Sequence, residues 1–173
     1  LVGQAQAQDR PLTVVSFGSA YGATQKKHQV DPYAAETGKK VLMESYAGGV
    51  AEMTAQVQSG NIQWDVVDIE SIDLERACAE GLLEVIPRDI LLPGDDGTPA
   101  KEDFFPVTLE NECGIGVMLW GNIFAYNDET IGKVKPTTLE DFFNVEKIPG
   151  KRALRKRPQV NMEWALLADG VAP

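Results

Sequence analysis

Histidine is almost missing from this chain: among 173 residues there is one, His28. With only Cys78 and Cys113 beside it, a metal centre built on histidine and cysteine has too few ligands, and no metal or other cofactor is expected. His28 sits in a polar helical stretch without a positioning partner, which reads as a solvated residue rather than a general base. Positive charge is also short. Sixteen Lys and Arg against 26 Asp and Glu leave a formal charge of −10, which disfavours nucleic acid as a partner, because phosphate binding needs a dominant positive surface. No run approaches the roughly 18 apolar residues of a membrane-spanning helix. Catalytic signatures are missing as well. There is no Gly-x-Ser-x-Gly elbow, no P-loop and no Gly-x-Gly-x-x-Gly after a strand. Gly114-Ile115-Gly116 lacks the third glycine and lies inside an extended stretch. Glu110 and Glu112 alternate along an extended segment and read as a solvated face rather than a glycosidase pair.

What is present is ordinary globular composition, 43% apolar and 24% charged, which argues against disorder. The length suits one domain, or one and part of a second. Residues 12–17 are a β-branched run read as a buried strand. Gly18 and Gly22 bracket an expected loop, followed by a helix that ends at Gly38 and is kinked or broken at Pro32. Residues 40–46 form a second strand, and Val50, Met53 and Val57 mark a helix face that closes at Gly60. Residues 64–69 are a third strand, and residues 71–80 a helix with Ser71 as its N-cap. Three strand–helix pairs in succession predict an α/β fold with a parallel sheet.

Residues 87–106 break the pattern with Pro87, Pro93, Gly94, Asp95, Asp96, Gly97, Pro99 and Pro106, read as a long, polar surface loop. Residues 114–127 are a long extended stretch whose internal glycines suggest a bent strand or a close approach by another group. A helix is expected after Pro136, with Thr138 as N-cap and Asp141 three residues on, and a last one over 161–169. Lys147, Lys151, Arg152, Arg155, Lys156 and Arg157 concentrate basic charge between these helices.

In open α/β sheets, ligands gather at the carboxyl ends of the strands. Those ends carry Ser19 and Tyr21 after the first strand, and Glu70 and Ser71 after the third. Ser71 and the following backbone N–H groups form a helix N-terminus that can donate to a ligand. Tyr21 and Trp120 could supply aromatic faces and Glu70 a charge, a combination that suits an ammonium group. Each of these residues alone reads equally well as a cap or a core aromatic.

The chain opens Leu1-Val2-Gly3-Gln4-Ala5-Gln6-Ala7, where Ala5-Gln6-Ala7 is like the small-residue cleavage site of a secretory signal. Residues 1–10 therefore read as a signal-peptide remnant or a disordered leader. An even pair of cysteines fits export and a disulfide, with two buried free thiols as the alternative.

Several motifs together carry a resemblance. They include Gly18-Ser19-Ala20-Tyr21, the helix end Glu36-Thr37-Gly38 and the run from Val57-Gln58-Ser59-Gly60 through Trp64-Asp65-Val66-Val67-Asp68. Glu80-Gly81-Leu82-Leu83, Phe124-Ala125-Tyr126-Asn127, residues 142–154 and residues 165–172 belong to the same set. From about residue 11 to 173 the chain resembles extracellular solute-binding proteins of ABC transporters, in the spermidine/putrescine-binding branch. The resemblance implies a two-lobe α/β architecture of the type II periplasmic-binding kind. Residues 11–121 would be a nearly complete N-terminal lobe with the first crossover strand, and residues 122–173 part of a second lobe. It implies that Cys78 and Cys113 pair as a disulfide. It also implies a periplasmic protein that performs no chemistry, grips a small solute between its lobes by hinge closure, and presents it to a membrane permease.

On this reading the solute is polyamine-like, and Ser19, Tyr21, Glu70, Ser71, Trp120 and Asn122 are its expected contacts. One departure points elsewhere. The segment before the last helix is basic, and Arg157 there would favour a carboxylate- or phosphonate-bearing solute. The rival readings are an enzyme on a similar two-lobe fold and the ligand-sensing domain of a transcription regulator. The family's chain is longer than this one, so the sequence is expected to be a fragment whose apolar faces at 115–126 and 160–168 lack partners and which self-associates or binds solute weakly.

Overall fold

A computed structural model of the chain describes residues 10–172. The reading of the first ten residues as a leader therefore falls, apart from Arg10, outside the described residues. The chain divides into two compact units, which meet in sequence between Val117 and Met118.

The first unit is built on a parallel three-stranded sheet of order β2-β1-β3, with β1 at Leu12–Ser16, β2 at Val41–Ser45 and β3 at Val66–Val67. β1 lies in register from Leu12 opposite Val41 to Ser16 opposite Ser45, and Val14 and Val15 face Val66 and Val67 across its other edge. As the middle strand it carries the most buried positions: Thr13, Val15 and Ser16. The third strand is shorter than the expected 64–69. Among the described residues it has a partner on one side only, but the pairing reaches past its formal ends, because Asp65 N–H donates to Thr13 C=O (3.0 Å) and Asp68 N–H to Val15 C=O (2.8 Å). Asp65 also fixes the start of β1. Its carboxylate accepts from Arg10 Nη1 (2.7 Å), Arg10 Nη2 (2.6 Å) and Thr13 N–H (2.8 Å), and the Arg10 guanidinium holds it below the usual carboxylate range.

The segment after β1 is helical sooner than expected. Instead of a Gly18–Gly22 loop, α1 occupies Ser19–Gln25, a π-helical turn spans Lys26–Val30, and α2 runs over Asp31–Thr37 to Gly38 in the left-handed region. Pro32 does not break this run. A proline ring collides with the carbonyl four residues back and offers no N–H to it, and here the wider turn lies immediately upstream of the Pro32 helix start. After β2, α3 (Ala51–Ser59) and α4 (Ser71–Ala79) flank β3. Val50, Met53 and Ala77 form the buried cluster, with Trp64, Val67, Ile69, Leu82 and Leu83 packed on it. Burying side chains the size of Val50 and Met53 contributes about 1.5–3 kcal/mol each.

Residues 87–106 are largely irregular, as expected, with a 3-10 turn at Arg88–Ile90 and a short α-helix, α5, at Ala100–Asp103. The segment beyond returns to α4 and is held in two ways. Cys78 and Cys113 form a disulfide with a Cα–Cα separation of 5.7 Å. Arg88 Nη2 donates to the carbonyls of Asn111 and Gly114 (2.9 Å to the latter). The glycines here serve close packing. A Cβ on Gly114 would lie 2.5 Å from Leu74 Cδ2, and one on Gly116 would lie 2.6 Å from Thr108 Cβ.

Residues 114–127 are not a strand. Among the described residues they have no strand to pair with, and Gly116 N–H instead donates to Thr108 C=O (2.8 Å). Val117, Leu119 and Ile123 are exposed, Ile123 to 84%.

The second unit contains α6 (Leu139–Phe143) and α7 (Asn161–Ala168). Thr138 caps α6 as expected, its Oγ1 accepting from Asp141 N–H at 3.1 Å. The helices meet through aromatic rings, with Phe142 5.7 Å from Phe124, 5.6 Å from Trp164 and 5.2 Å from Phe143, centroid to centroid. Arg152 closes the turn after α6 by donating to the carbonyls of Phe142 (2.7 Å) and Ile148 (2.7 Å). On α7, Met162, Leu166 and Leu167 are exposed apolar residues.

Candidate functional site

The carboxyl ends of β1 and β3 carry the most connected group of polar side chains in the first unit. β1 delivers Ser16, which is fully buried. The backbone then turns sharply at Gly18 (φ 74°) and at Ser19 (φ 53°), the first residue of α1. Gly18 is required twice over, because its backbone lies in the left-handed region and a Cβ there would meet Ser45 Oγ at 2.7 Å. Ser19, which is not glycine, holds a similar backbone on the exposed side of the turn, a strained geometry of a kind that clusters at ligand sites.

α1 then presents Tyr21 and Gln25, one turn apart, toward the end of β3. Gln25 Nε2 donates to the Tyr21 hydroxyl (3.0 Å) and to Asp68 Oδ2 (3.0 Å). Ser16 Oγ lies within hydrogen-bond reach of Asp68 Oδ2 (3.0 Å) and of Gln25 Oε1 (2.5 Å), two acceptors for its one proton. From the other side Tyr46 donates its hydroxyl proton to the Asp68 backbone carbonyl (2.6 Å). Tyr46 in turn packs between Phe17 and Trp64, at 5.3 and 5.5 Å. Burial, and after it the Asp68 carboxylate, pushes the Tyr21 phenol up to about 12. Burial and the same carboxylate raise Tyr46 further. Both phenols are therefore neutral donors at physiological pH.

Glu70 and Ser71 follow on the same strand end. Ser71 is not the N-cap it was expected to be. Leu74 N–H donates to Glu70 C=O (2.9 Å), and Glu70, with extended backbone, occupies the cap position, so Ser71 is the exposed first residue of α4.

The structure thus brings Ser19, Tyr21, Glu70 and Ser71 to neighbouring strand ends of one unit. Trp120, Asn122 and Arg157 fall in the second unit. There the Arg155 guanidinium stands over the Trp120 ring, 6.0 Å from its centroid, so that aromatic face already carries a cation. Asn161 Nδ2 donates to the carbonyls of Arg155 and Arg157 (2.7 Å each), which fixes the backbone of the basic segment at the start of α7.

The sequence reading missed Ser16, Gln25, Tyr46 and Asp68. Two signals pointed to them: an acid directly past a strand at its carboxyl end, and a glutamine four residues after a tyrosine on one helix. The described residues hold one grouping with metal-ligand spacing, Cys78, Glu112 and Cys113, and its sulfurs are joined to each other. The strand-end cluster is a network of donors and acceptors around a neutral phenol.

Comparison with known proteins settles the lineage. The profile of the bacterial extracellular solute-binding proteins matches residues 28–173. The chain belongs to this family. It is 41% identical over 167 residues to the gamma-aminobutyric acid-binding protein of Pseudomonas aeruginosa, an alignment covering 96% of this chain and 45% of the relative. Its fold is shared with the periplasmic binding protein MotA of A. tumefaciens B6, solved in complex with glucopine (TM-score 0.74, 29% identity, 93% of this chain and 47% of that one). An ABC-transporter substrate-binding protein of Bradyrhizobium japonicum is similar too (TM-score 0.73, 32% identity, 94% and 48%). So is a solved GABA receptor (TM-score 0.77, 28% identity, 94% and 48%). The family and these relatives are solute-binding proteins rather than enzymes, and the chain spans about half their length.

Proposed function

We propose that this chain belongs to the periplasmic solute-binding subunit of an ABC importer, which captures a small organic solute without chemical change and hands it to a membrane permease. The solute class we favour carries an amine and a carboxylate, as γ-aminobutyric acid does. The observation that carries this reading is the strand-end cluster, where Tyr21 stands beside Asp68 and the exposed Ser19 and Ser71 flank it with hydroxyls. In this reading Ser19, Tyr21, Glu70 and Ser71 contact the solute, Glu70 meeting its ammonium group. Trp120, Asn122 and Arg157 are proposed as further contacts from the second unit. The guanidinium over Trp120 supports a carboxylate partner there in place of a second ammonium. A relative that binds γ-aminobutyric acid at 41% identity agrees.

The competing solute is a polyamine, favoured by the two acids, Asp68 and Glu70, at the end of β3. Titration of the isotopically labelled chain with γ-aminobutyric acid and, separately, with putrescine distinguishes them, read by amide NMR shifts, which register weak binding. The expected result is saturable movement of the amides of residues 18–22 and 68–72 with γ-aminobutyric acid. Movement with putrescine alone replaces the solute class. Movement confined to other residues, or none with either compound, overturns the site.

A further inference from the structure

The two halves of the Cys78–Cys113 disulfide meet different surroundings. Cys113 is buried, 7% exposed, whereas Cys78, near the end of α4, is only half-buried. An open pocket of about 360 Å³ lies over Cys78, lined by Glu75 and Ala79 of the same helix and by Glu110, Asn111 and Glu112. Cys78 is part of that lining and Cys113 is not. A Glu112 carboxylate oxygen lies within 4.8 Å of both sulfurs. Glu75, Glu110 and Glu112 are all exposed, and among the described residues the lining holds no basic side chain. Arg76, also on α4, pairs with Glu80 instead (2.7 Å), and Arg88 Nη2 donates to the carbonyls of Asn111 and Gly114.

A disulfide is opened by a thiolate, which is an anion. The incoming sulfur bonds to one Sγ, the Sγ–Sγ bond breaks, and its electron pair leaves on the other Sγ as a thiolate. A second thiolate then attacks the mixed disulfide. Two outside thiols are thereby oxidised to their own disulfide, and both cysteines are reduced. Burial bars this approach to Cys113, and the pocket leaves Cys78 open to it. At the separation set by Glu112, one carboxylate in watery surroundings repels a negative charge enough to slow its attack roughly threefold at low salt. We propose that Cys78 is the sulfur at which this disulfide exchanges with outside thiols, and that the pocket over it selects thiols bearing an ammonium group over thiols bearing a carboxylate. The ammonium of an aminothiol is drawn to Glu75, Glu110 and Glu112 while its sulfur reaches Cys78. A carboxylate-bearing thiol of equal size is repelled by the same three groups. This holds whichever solute the strand-end site takes.

The test is the rate at which three thiols of similar size reduce the full chain at low salt: cysteamine, 2-mercaptoethanol and 3-mercaptopropionate, each rate expressed per thiolate. Their attacking forms are zwitterionic, singly negative and doubly negative. Dividing each rate by that of a variant carrying Glu75→Gln, Glu110→Gln and Glu112→Gln together cancels the thiols' own reactivities. The normalised rate is expected to fall about threefold with each added negative charge, roughly tenfold across the series, and to level out at about 0.5 M salt. If the triple variant loses its folded circular dichroism spectrum, Glu112→Gln takes its place, with a smaller slope of the same sign. Partial reduction in the presence of iodoacetamide, followed by peptide mass mapping, locates the exchange. The mixed disulfide is expected on Cys78 and the alkyl group on Cys113. Normalised rates that do not depend on the charge of the thiol overturn the selection, as does a slope that salt leaves unchanged. A mixed disulfide found on Cys113 overturns the assignment of Cys78.

Discussion

Replacing both Cys78 and Cys113 by alanine tests how the first unit is held together. The bond joins α4 to the segment after the long loop and closes 35 residues of chain. In the chain-entropy description the crosslink removes about 2.1 + 1.5R ln 35, or roughly 13 cal/mol/K, from the unfolded ensemble, which is about 4 kcal/mol at 25 °C. The native state loses little by the change, because Arg88 still bonds the carbonyls of Asn111 and Gly114, and Leu74 still fills the space over Gly114. The cost should therefore appear almost wholly in the unfolded state. For a unit of this size it corresponds to a fall of roughly 15 °C in melting temperature. The assay is a circular dichroism melt of the oxidised protein, the same protein under reductant, and the double alanine variant. The two perturbed samples should melt together, well below the oxidised one, with unchanged folded spectra. A fall worth less than about 1 kcal/mol would refute the reasoning and mean that the unfolded chain is already constrained around this loop. Loss of the folded spectrum at low temperature would refute it differently, by showing that Arg88 does not keep the segment in place.

Two further outcomes are specific. Gly18→Ala should destabilise the fold by about 1–3 kcal/mol, since it meets Ser45 Oγ and must hold a left-handed backbone; Gly18→Ala with Ser45→Gly should recover only the part due to the collision, and equal stability of all three proteins would refute both causes. Asp141 is held down to about 2 from 3.8, chiefly by the Lys147 ammonium at 2.5 Å and by Thr137 N–H at 3.0 Å. Its folded value lies below its unfolded one, so its contribution to stability is complete above about 3.8 and disappears as the pH falls through about 2. Lys147→Ala should move the Asp141 carbon-13 titration upward, and an unchanged midpoint would contradict the pairing.

Much of this fold was legible because its signals are local. β-Branched runs gave β1 and the core of β3, and left-handed glycines closed α2 and α3 at Gly38 and Gly60. Thr138 announced its own helix. What was not legible depends on contacts distant in sequence. α1 starts at Ser19 instead of a loop, directly after a left-handed Gly18 that packs close against Ser45 on β2. The irregular course of residues 114–127 reflects the absence, among the described residues, of a strand to pair with, and nothing within the segment itself encodes that. The site divides the same way. Ser19, Tyr21, Glu70 and Ser71 could be picked from strand ends, whereas the closed ring of Ser16, Gln25 and Asp68 needs the register of β1 against β3 and the phase of α1 together.

The π-helical turn at Lys26–Val30 gives that phase a consequence for insertions and deletions. Upstream of it Tyr21 and Gln25 must face Asp68, and at its end Val30 must be buried. Each α-helical residue advances about 100° around the axis. Removing one residue from 26–30 would return the turn to ordinary α-helix, and because four α-helical residues advance about as far around the axis as the five of the wider turn, both faces would keep their partners. Removing a residue after Gly38 shortens only a connection. A deletion between Tyr21 and Gln25, by contrast, turns one of them about 100° away from the other and should cost the polar ring.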